Sequence, residues 1–323
     1  MELKPFYSDK HIKIYNKDCR DMSELADNSV QCVVTSPPYW GLRKYSGEQE
    51  LIWADGSKSA FGLEKTPEIY LDHLVEICQE IRRVMRKDGV FFLNIGDSYM
   101  SHAGDRSKVG GFQANPSPER LEAESSMSMK KQITKVLKDK DLCLIPFRVA
   151  IEAQRDGWWV RSVIIWSKPN PMPESCKDRP TESHEYILML TKSARYYWDA
   201  DAVRGPINPN NTGKVAVRPS GDSKTRDKEN WGVPHENKMV IREYEELKGR
   251  NIRSVWEFPT QPYPEAHFAV FPEKLPEICI KAATPEVGCC SKCGTPWERI
   301  VERQTKDTRP GRNTGTAKSG TDD

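Results

Sequence analysis

Chemistry in this 323-residue chain concentrates in one short stretch, Val34-Thr35-Ser36-Pro37-Pro38-Tyr39. A hydroxyl, two prolines and an aromatic ring follow one another there. The prolines fix the backbone and offer carbonyls without competing N–H donors, and Tyr39 adds a flat face. Such a group suits gripping a flat, amino-bearing heterocycle. As local structure alone, the same residues also make a proline-terminated strand entering a turn.

The elements that must position this group can be read outward from it. Val30, Cys32, Val33 and Val34 form an apolar run, so the stretch reads as a buried strand opening into a loop at its C-terminal tip. In an open α/β sheet ligands bind at such tips. Upstream, His11 to Tyr15 alternates apolar and polar residues as a short strand, and Asp21 to Leu25 has helical character. This places Asp18 at the sheet edge that holds Ser36, where it either meets a ligand or caps the following helix. Trp40 to Lys65, with four glycines, reads as a mobile loop over the site. Thr66-Pro67 starts a helix whose apolar residues recur at spacings of three and four, and Lys87-Asp88-Gly89 ends it. Val90 to Ile95 is a nearly continuous apolar run, the mark of a strand buried on both faces. Ile145 to Gln154 follows as an amphipathic helix. Strands are expected at Trp158–Trp166, Glu185–Leu190 and Tyr196–Trp198, the first two joined across a proline-rich connection. The alternation predicts an α/β fold.

Composition divides the chain. Residues 1–100 read as the first part of an α/β core, 101–141 as a flexible insertion and 142–204 as the antiparallel end of the core. Residues 205–253 are loop-rich with many basic side chains, 254–303 return to the core, and 304–323 are a polar, disordered tail. A net charge of +2 neither demands nor excludes nucleic acid, because a local basic face suffices to bind phosphates. No apolar stretch approaches the roughly 20 residues that span a bilayer, and the N-terminus lacks a signal peptide's apolar region. A cytoplasmic protein without a membrane partner is expected. Six of the nine cysteines (Cys19, Cys32, Cys78, Cys143, Cys176, Cys279) lack pairing spacing and read as reduced thiols.

The Thr-Ser-Pro-Pro-Tyr pentapeptide, with the apolar residue before it, resembles the fourth motif of the DNA amino-methyltransferases, in the version of the cytosine-N4 branch. The run Trp166-Ser-Lys-Pro-Asn-Pro-Met-Pro-Glu-Ser175, then Asp178-Arg179-Pro180-Thr181 and Ser183-His184-Glu185-Tyr186, is also similar to the family. So is Phe271-Pro272-Glu273-Lys274-Leu275, which resembles the segment opening a helix beside the donor's methionine moiety. The resemblance implies a Rossmann-like methyltransferase sheet, S-adenosylmethionine as methyl donor and double-stranded DNA as partner. It implies catalytic roles for Ser36, Pro37, Pro38 and Tyr39. Ser36 and the Pro37 carbonyl accept hydrogen bonds from the amine and Tyr39 stacks on a flipped base. Asp18, Thr35, Phe271, Pro272, Glu273 and Leu275 fall to the cofactor. Trp40, Arg43, Lys168, Lys177 and Arg179 fall to DNA, and region 205–253 to target recognition. Cytosine N4 is favoured over adenine N6 because Ser36 stands where the adenine branch has Asp.

One expected element is missing from the sequence. Relatives with this motif order finish with a strand and Asp-Pro-Phe-x-Gly-Ser-Gly-Thr, whose glycines let the backbone approach the donor. Either the chain is a truncated, non-catalytic DNA-binding relative, or a second polypeptide supplies that part. Cys290-Ser-Lys-Cys293 resembles half of a zinc ribbon found in relatives. One pair is half of a four-ligand site, so zinc is not expected in this chain alone.

Overall fold

A computed structural model describes residues 4–42, 50–100, 136–206, 214–217, 240–243, 249–263, 270–292 and 294–297. The motif strand forms as expected: β3 spans Val30–Thr35. It is preceded by a small hairpin, β1 (Tyr7–Ser8) and β2 (Lys13–Ile14), whose turn is closed by the Asp9 carboxylate accepting from the His11 and Ile12 N–H groups. That hairpin is a two-stranded sheet of its own and does not join β3. Residues 21–25 form turns rather than a helix. The Arg83 guanidinium holds the Met22 and Leu25 carbonyls, diverting backbone acceptors that a helix would need.

A second hairpin, β4 (Leu51–Ile52) with β5 (Lys58–Ser59), occupies part of the expected loop. Its Trp53 is buried, so this segment is part of the packed body rather than a free cover. Helix α1 (Pro67–Val84) starts where the sequence placed it: Thr66 Oγ1 accepts from the Ile69 N–H at 3.4 Å and Pro67 occupies the first turn. Its end differs from expectation. The helix passes directly into β6 (Met85–Ile95), and Lys87-Asp88-Gly89 lies inside that strand. The reason is pairing, because Met85 is already opposite Val30 of β3.

Helix α2 (Ile145–Arg155), β7 (Trp159–Ser167) and β8 (His184–Thr191) match expectation to within a residue or two. Residues 196–198 are not a strand. The Tyr197 N–H donates to the Asp88 carbonyl and the Asp199 N–H to that of Ala282, which lays this segment between β6 and the last helix. Beyond lie β9 (Lys214–Val217) antiparallel to β10 (Val240–Glu243), then β11 (Val255–Glu257) and α3 (Lys274–Ala283).

The main sheet has the order β11-β7-β8-β6-β3. β3 and β6 are parallel, β8 runs antiparallel between β6 and β7, and β11 is parallel to β7. The C-terminal tips of β3, β6, β7 and β11 therefore share one end of the sheet with the N-terminus of β8. Alternation along β6 explains its apolar run. Phe91, Leu93 and Ile95 face one core with α1 and α2, while Val90 and Phe92 face a second core with Leu275 and Cys279 of α3. Two long excursions leave the sheet through closed stems. Tyr99 pairs with Leu142, and Gly205 pairs with Arg250. Tyr99 and Leu142 flank the expected insertion at 101–141, and Gly205 and Arg250 enclose most of residues 205–253. Residues 101–135 and much of 207–248 lie outside those described, as does the expected tail.

Candidate active site

At the shared end of the sheet, Ser36 follows the last residue of β3 and its hydroxyl donates to the Tyr39 hydroxyl at 3.2 Å. Tyr39 in turn donates to Glu185 Oε2 at 2.7 Å. Asn94, on β6, directs its amide nitrogen to both the Tyr39 hydroxyl and Glu185 Oε2, each at 2.8 Å. Lys168, just beyond β7, forms an ion pair with the other carboxylate oxygen and lies 4.6 Å from the centre of the Trp166 ring. Four elements thus converge: the tips of β3, β6 and β7 and the start of β8. Burial and the Glu185 carboxylate push the Tyr39 phenol well above its ordinary range, so Tyr39 remains a donor toward Glu185.

Close packing fixes the rest of the motif. The Tyr39 ring lies against Gly96, where a Cβ would sit 2.7 Å from a ring carbon. The Pro38 carbonyl accepts from the Tyr70 hydroxyl at 3.0 Å, and a Cβ on Gly62 would meet Pro38 at 2.9 Å. Gly62 has φ +89°, a conformation glycine adopts without penalty. Beneath it the buried Glu64 carboxylate accepts from the Gly62 N–H at 2.9 Å and pairs with His73 Nδ1 at 3.0 Å. Trp53 stacks flat on the His73 ring at 3.8 Å, and His73 Nε2 meets the Ser57 hydroxyl at 3.0 Å.

Sequence-selected residues divide into those gathered here and those placed elsewhere. Ser36, Pro37, Pro38, Tyr39 and Lys168 belong to the site, and Thr35 ends the strand beneath it. Trp40 is 1% exposed, with its indole N–H donating to the Glu64 carbonyl; it is core and offers no face to DNA. Arg43 and Cys293 lie outside the described residues. Arg179 pairs with Glu174 at 2.6 Å and stacks over Tyr99 at 3.9 Å, while Lys177 is exposed. Asp18 is bound by Arg20 at 2.7 Å, and its hydrogen bonds go to Arg20 rather than to the tip of β3. Phe271 is half-buried, Glu273 exposed, and Pro272 and Leu275 buried, Leu275 within the second core. Cys290 accepts the Gly294 N–H on its carbonyl, closing a tight turn. Among the described residues no cluster of three metal-binding side chains occurs.

Asn94, Gly96 and Glu185 are functional neighbours that residue-by-residue reading did not single out. A signal for Asn94 was present, since it is the one polar side chain in Val90–Ile95 and is buried. Glu185 sat within a family-like run but carried no role.

The donor implied by the resemblance can be tested against unpaired polar atoms. Asn94 Oδ1 and Asp97 Oδ2, both from the tip of β6, are buried acceptors without a hydrogen-bond partner. Asp97 Oδ1 is committed to the Ser98 and Ile145 N–H groups at the start of α2, and burial raises the carboxyl's pKa. Free acceptors at this place fit the ammonium end of a methionine moiety. For the adenosyl end, Asp18 is already taken by Arg20.

Comparison with known proteins gives a consistent answer. The family model described as DNA methylase, N6_N4_Mtase, matches residues 30–290. The Type II methyltransferase M.Cfr9I of Citrobacter freundii is 39% identical over 263 residues, 81% of this chain and 69% of that protein. M.SmaI of Serratia marcescens is 36% identical over 273 residues, covering 84% of this chain and 75% of its own length. Among solved structures, the PvuII DNA methyltransferase (cytosine-N4-specific) superposes with a TM-score of 0.51 at 16% identity, covering 87% of this chain and 74% of that one. That likeness concerns the fold. The chain belongs to the N6/N4 DNA methylase family of S-adenosylmethionine-dependent methyltransferases.

Proposed function

We propose that this DNA methyltransferase transfers the methyl group to the exocyclic N4 of a cytosine flipped out of duplex DNA, as in a restriction–modification pair. The observation that carries the reading is the state of Ser36. Its hydroxyl hydrogen is committed to Tyr39, so its lone pairs are left to accept from an amine. An exocyclic amine is a poor nucleophile because its lone pair is delocalised into the ring. Accepting its protons at Ser36 and the Pro37 carbonyl localises that pair, and the stiff Pro-Pro backbone keeps reorganisation small. Serine in place of aspartate, and the printed cytosine-N4 specificity of the PvuII neighbour, both support cytosine.

S-adenosylmethionine supplies an electrophilic methyl group when bound. Asn94 and Asp97 are the residues to hold its ammonium, with Phe271 and Pro272 near its methionine moiety and Thr35 beneath the tip. Lys177 and Arg179, on the proline-rich loop after β7, are assigned to phosphate contacts, and region 205–253 to target recognition. Incubating the protein with DNA and S-adenosylmethionine, followed by base-resolved sequencing, tests this directly. N4-methylcytosine is expected, and N6-methyladenine as sole product refutes the cytosine assignment.

A second reading has one observation in its favour: β3 is the margin of the sheet among the described residues. On this reading a separate chain completes the donor site. Titration with S-adenosylmethionine separates the two, because saturable binding by this chain alone excludes the second.

A further inference from the structure

We propose that Glu185 is a positioning residue that directs the relay Ser36 to Tyr39 to Glu185, holding Ser36 as an acceptor toward the target amine and taking the proton that amine sheds. The inference rests on the reading that Ser36 grips an exocyclic amine. A hydroxyl donates and accepts, so two hydroxyls in contact leave the direction of their bond undecided. A carboxylate only accepts, and placed at the end of the row it decides the direction for every member. The Tyr39 oxygen is saturated: it accepts from Ser36 and from Asn94, and its hydrogen goes to Glu185 Oε2. Asn94 reinforces the same sense, since the nitrogen that reaches Tyr39 also reaches Glu185 Oε2, and a flipped amide would set its oxygen against the carboxylate. Lys168 occupies the other carboxylate oxygen and leaves Oε2 to the relay.

The same row carries the proton away. As the amine nitrogen bonds to the methyl carbon, the donor's sulfur–carbon bond breaks with its electron pair left on sulfur, and the nitrogen becomes positively charged and still holds both of its protons. One N–H bond then breaks and its electron pair stays on nitrogen. That proton passes to Ser36 Oγ, the Ser36 hydrogen to the Tyr39 oxygen, and the Tyr39 hydrogen to Glu185 Oε2. Ser36 and Tyr39 end neutral as they began, and Glu185 ends as the neutral acid. No metal and no further reactant are required.

The deciding variant is Glu185→Gln. With Lys168 holding the amide oxygen, the new NH2 faces Tyr39 as a donor and reverses the row, so that Ser36 turns its hydrogen toward the amine. The expected result is a fall in kcat of about 100-fold, with KM for donor within about twofold of wild type and KM for DNA raised by no more than about fivefold. In a Tyr39→Phe background, adding Glu185→Gln costs no more than about a further twofold, because the relay is already cut. A second readout needs no methyl transfer. Single-stranded oligonucleotides carrying one cytosine, or in its place 2-pyrimidinone, which lacks the amine, are compared as ligands by fluorescence anisotropy. Wild type is expected to prefer cytosine by about fivefold, and both Glu185→Gln and Tyr39→Phe to lose that preference. The proposal is overturned if Glu185→Gln keeps the preference, keeps kcat within about threefold, or multiplies its loss on the Tyr39→Phe background. Should Glu185→Gln fail to fold, Tyr39→Phe alone decides through the same ligand pair. An adenine product from wild type sinks the cytosine reading and leaves the relay standing, with adenine and purine as the ligand pair.

Discussion

Replacing Gly96 by alanine tests the site's geometry with one added methyl group. The new Cβ lies 2.7 Å from Tyr39 Cε2 and 2.9 Å from Cδ2. Carbon atoms rest at about 3.5–4.0 Å, so the ring must retreat by about 1 Å. Gly96 does not have a positive φ, so alanine meets no backbone strain and the effect is steric alone. A retreat of that size takes the 3.2 Å Ser36–Tyr39 bond past hydrogen-bonding reach. Overpacking of this kind costs about 1–3 kcal/mol of stability, and loss of the aligned hydroxyl about 100-fold in kcat. Urea unfolding and single-turnover methylation measure the two separately. Tyr39→Ala removes the obstacle, so Gly96→Ala added to it is expected to cost less than about 0.5 kcal/mol. If Gly96→Ala costs the same with and without the Tyr39 ring, or is silent in the presence of the ring, the packing argument is wrong.

Three further outcomes follow from other parts of the structure. Glu64→Ala removes a buried carboxylate and strands the Gly62 N–H and the His73 ring, so unfolding free energy is expected to fall by about 3 kcal/mol, and by about 1 kcal/mol for Glu64→Gln; equal effects of the two variants in urea melts would refute this. Burial disfavours the thiolate and pushes Cys32 and Cys78 up to about 12, so at pH 8 only about one thiol in ten thousand is ionised. Mass spectrometry after brief iodoacetamide treatment of the native protein should find both unmodified while exposed Cys19 is alkylated. Thr66→Ala should cost about 1 kcal/mol through the lost cap of α1, and Thr66→Ser a smaller part of it, as read by thermal unfolding.

The strands that carry the site were legible because their chemistry is local. Val30–Val34 and Val90–Ile95 announce buried strands by composition, and Thr66-Pro67 announces a helix start by capping chemistry. What was not legible depended on pairing between distant residues. Lys87-Asp88-Gly89 looks like a helix stop, but Met85 had already been captured by Val30. Asp18 reads as either a ligand contact or a helix cap, and although Arg20 is only two residues on, the distant Ile52 carbonyl and Glu76 are what hold Arg20 against it. Trp40 falls to DNA by the resemblance, whereas the Glu64 carbonyl that claims its indole lies 24 residues away. Glu185 shows the same limit from the other side. It meets Tyr39 across 146 residues of chain, and no local pattern encodes that meeting.

The closed stems at Tyr99–Leu142 and Gly205–Arg250 have a consequence for how such a protein changes over time. Each stem brings the chain back beside the residue at which it left, so the core registers two paired endpoints rather than the length between them. Closing a longer loop adds only about 0.6 kcal/mol per doubling of its length. Segments between the stems can therefore be exchanged, lengthened or rewritten while the row of hydroxyls at the tip of β3 stays in place. On the proposed assignment of residues 205–253 to target recognition, a lineage built this way would acquire new DNA addresses without relearning its chemistry.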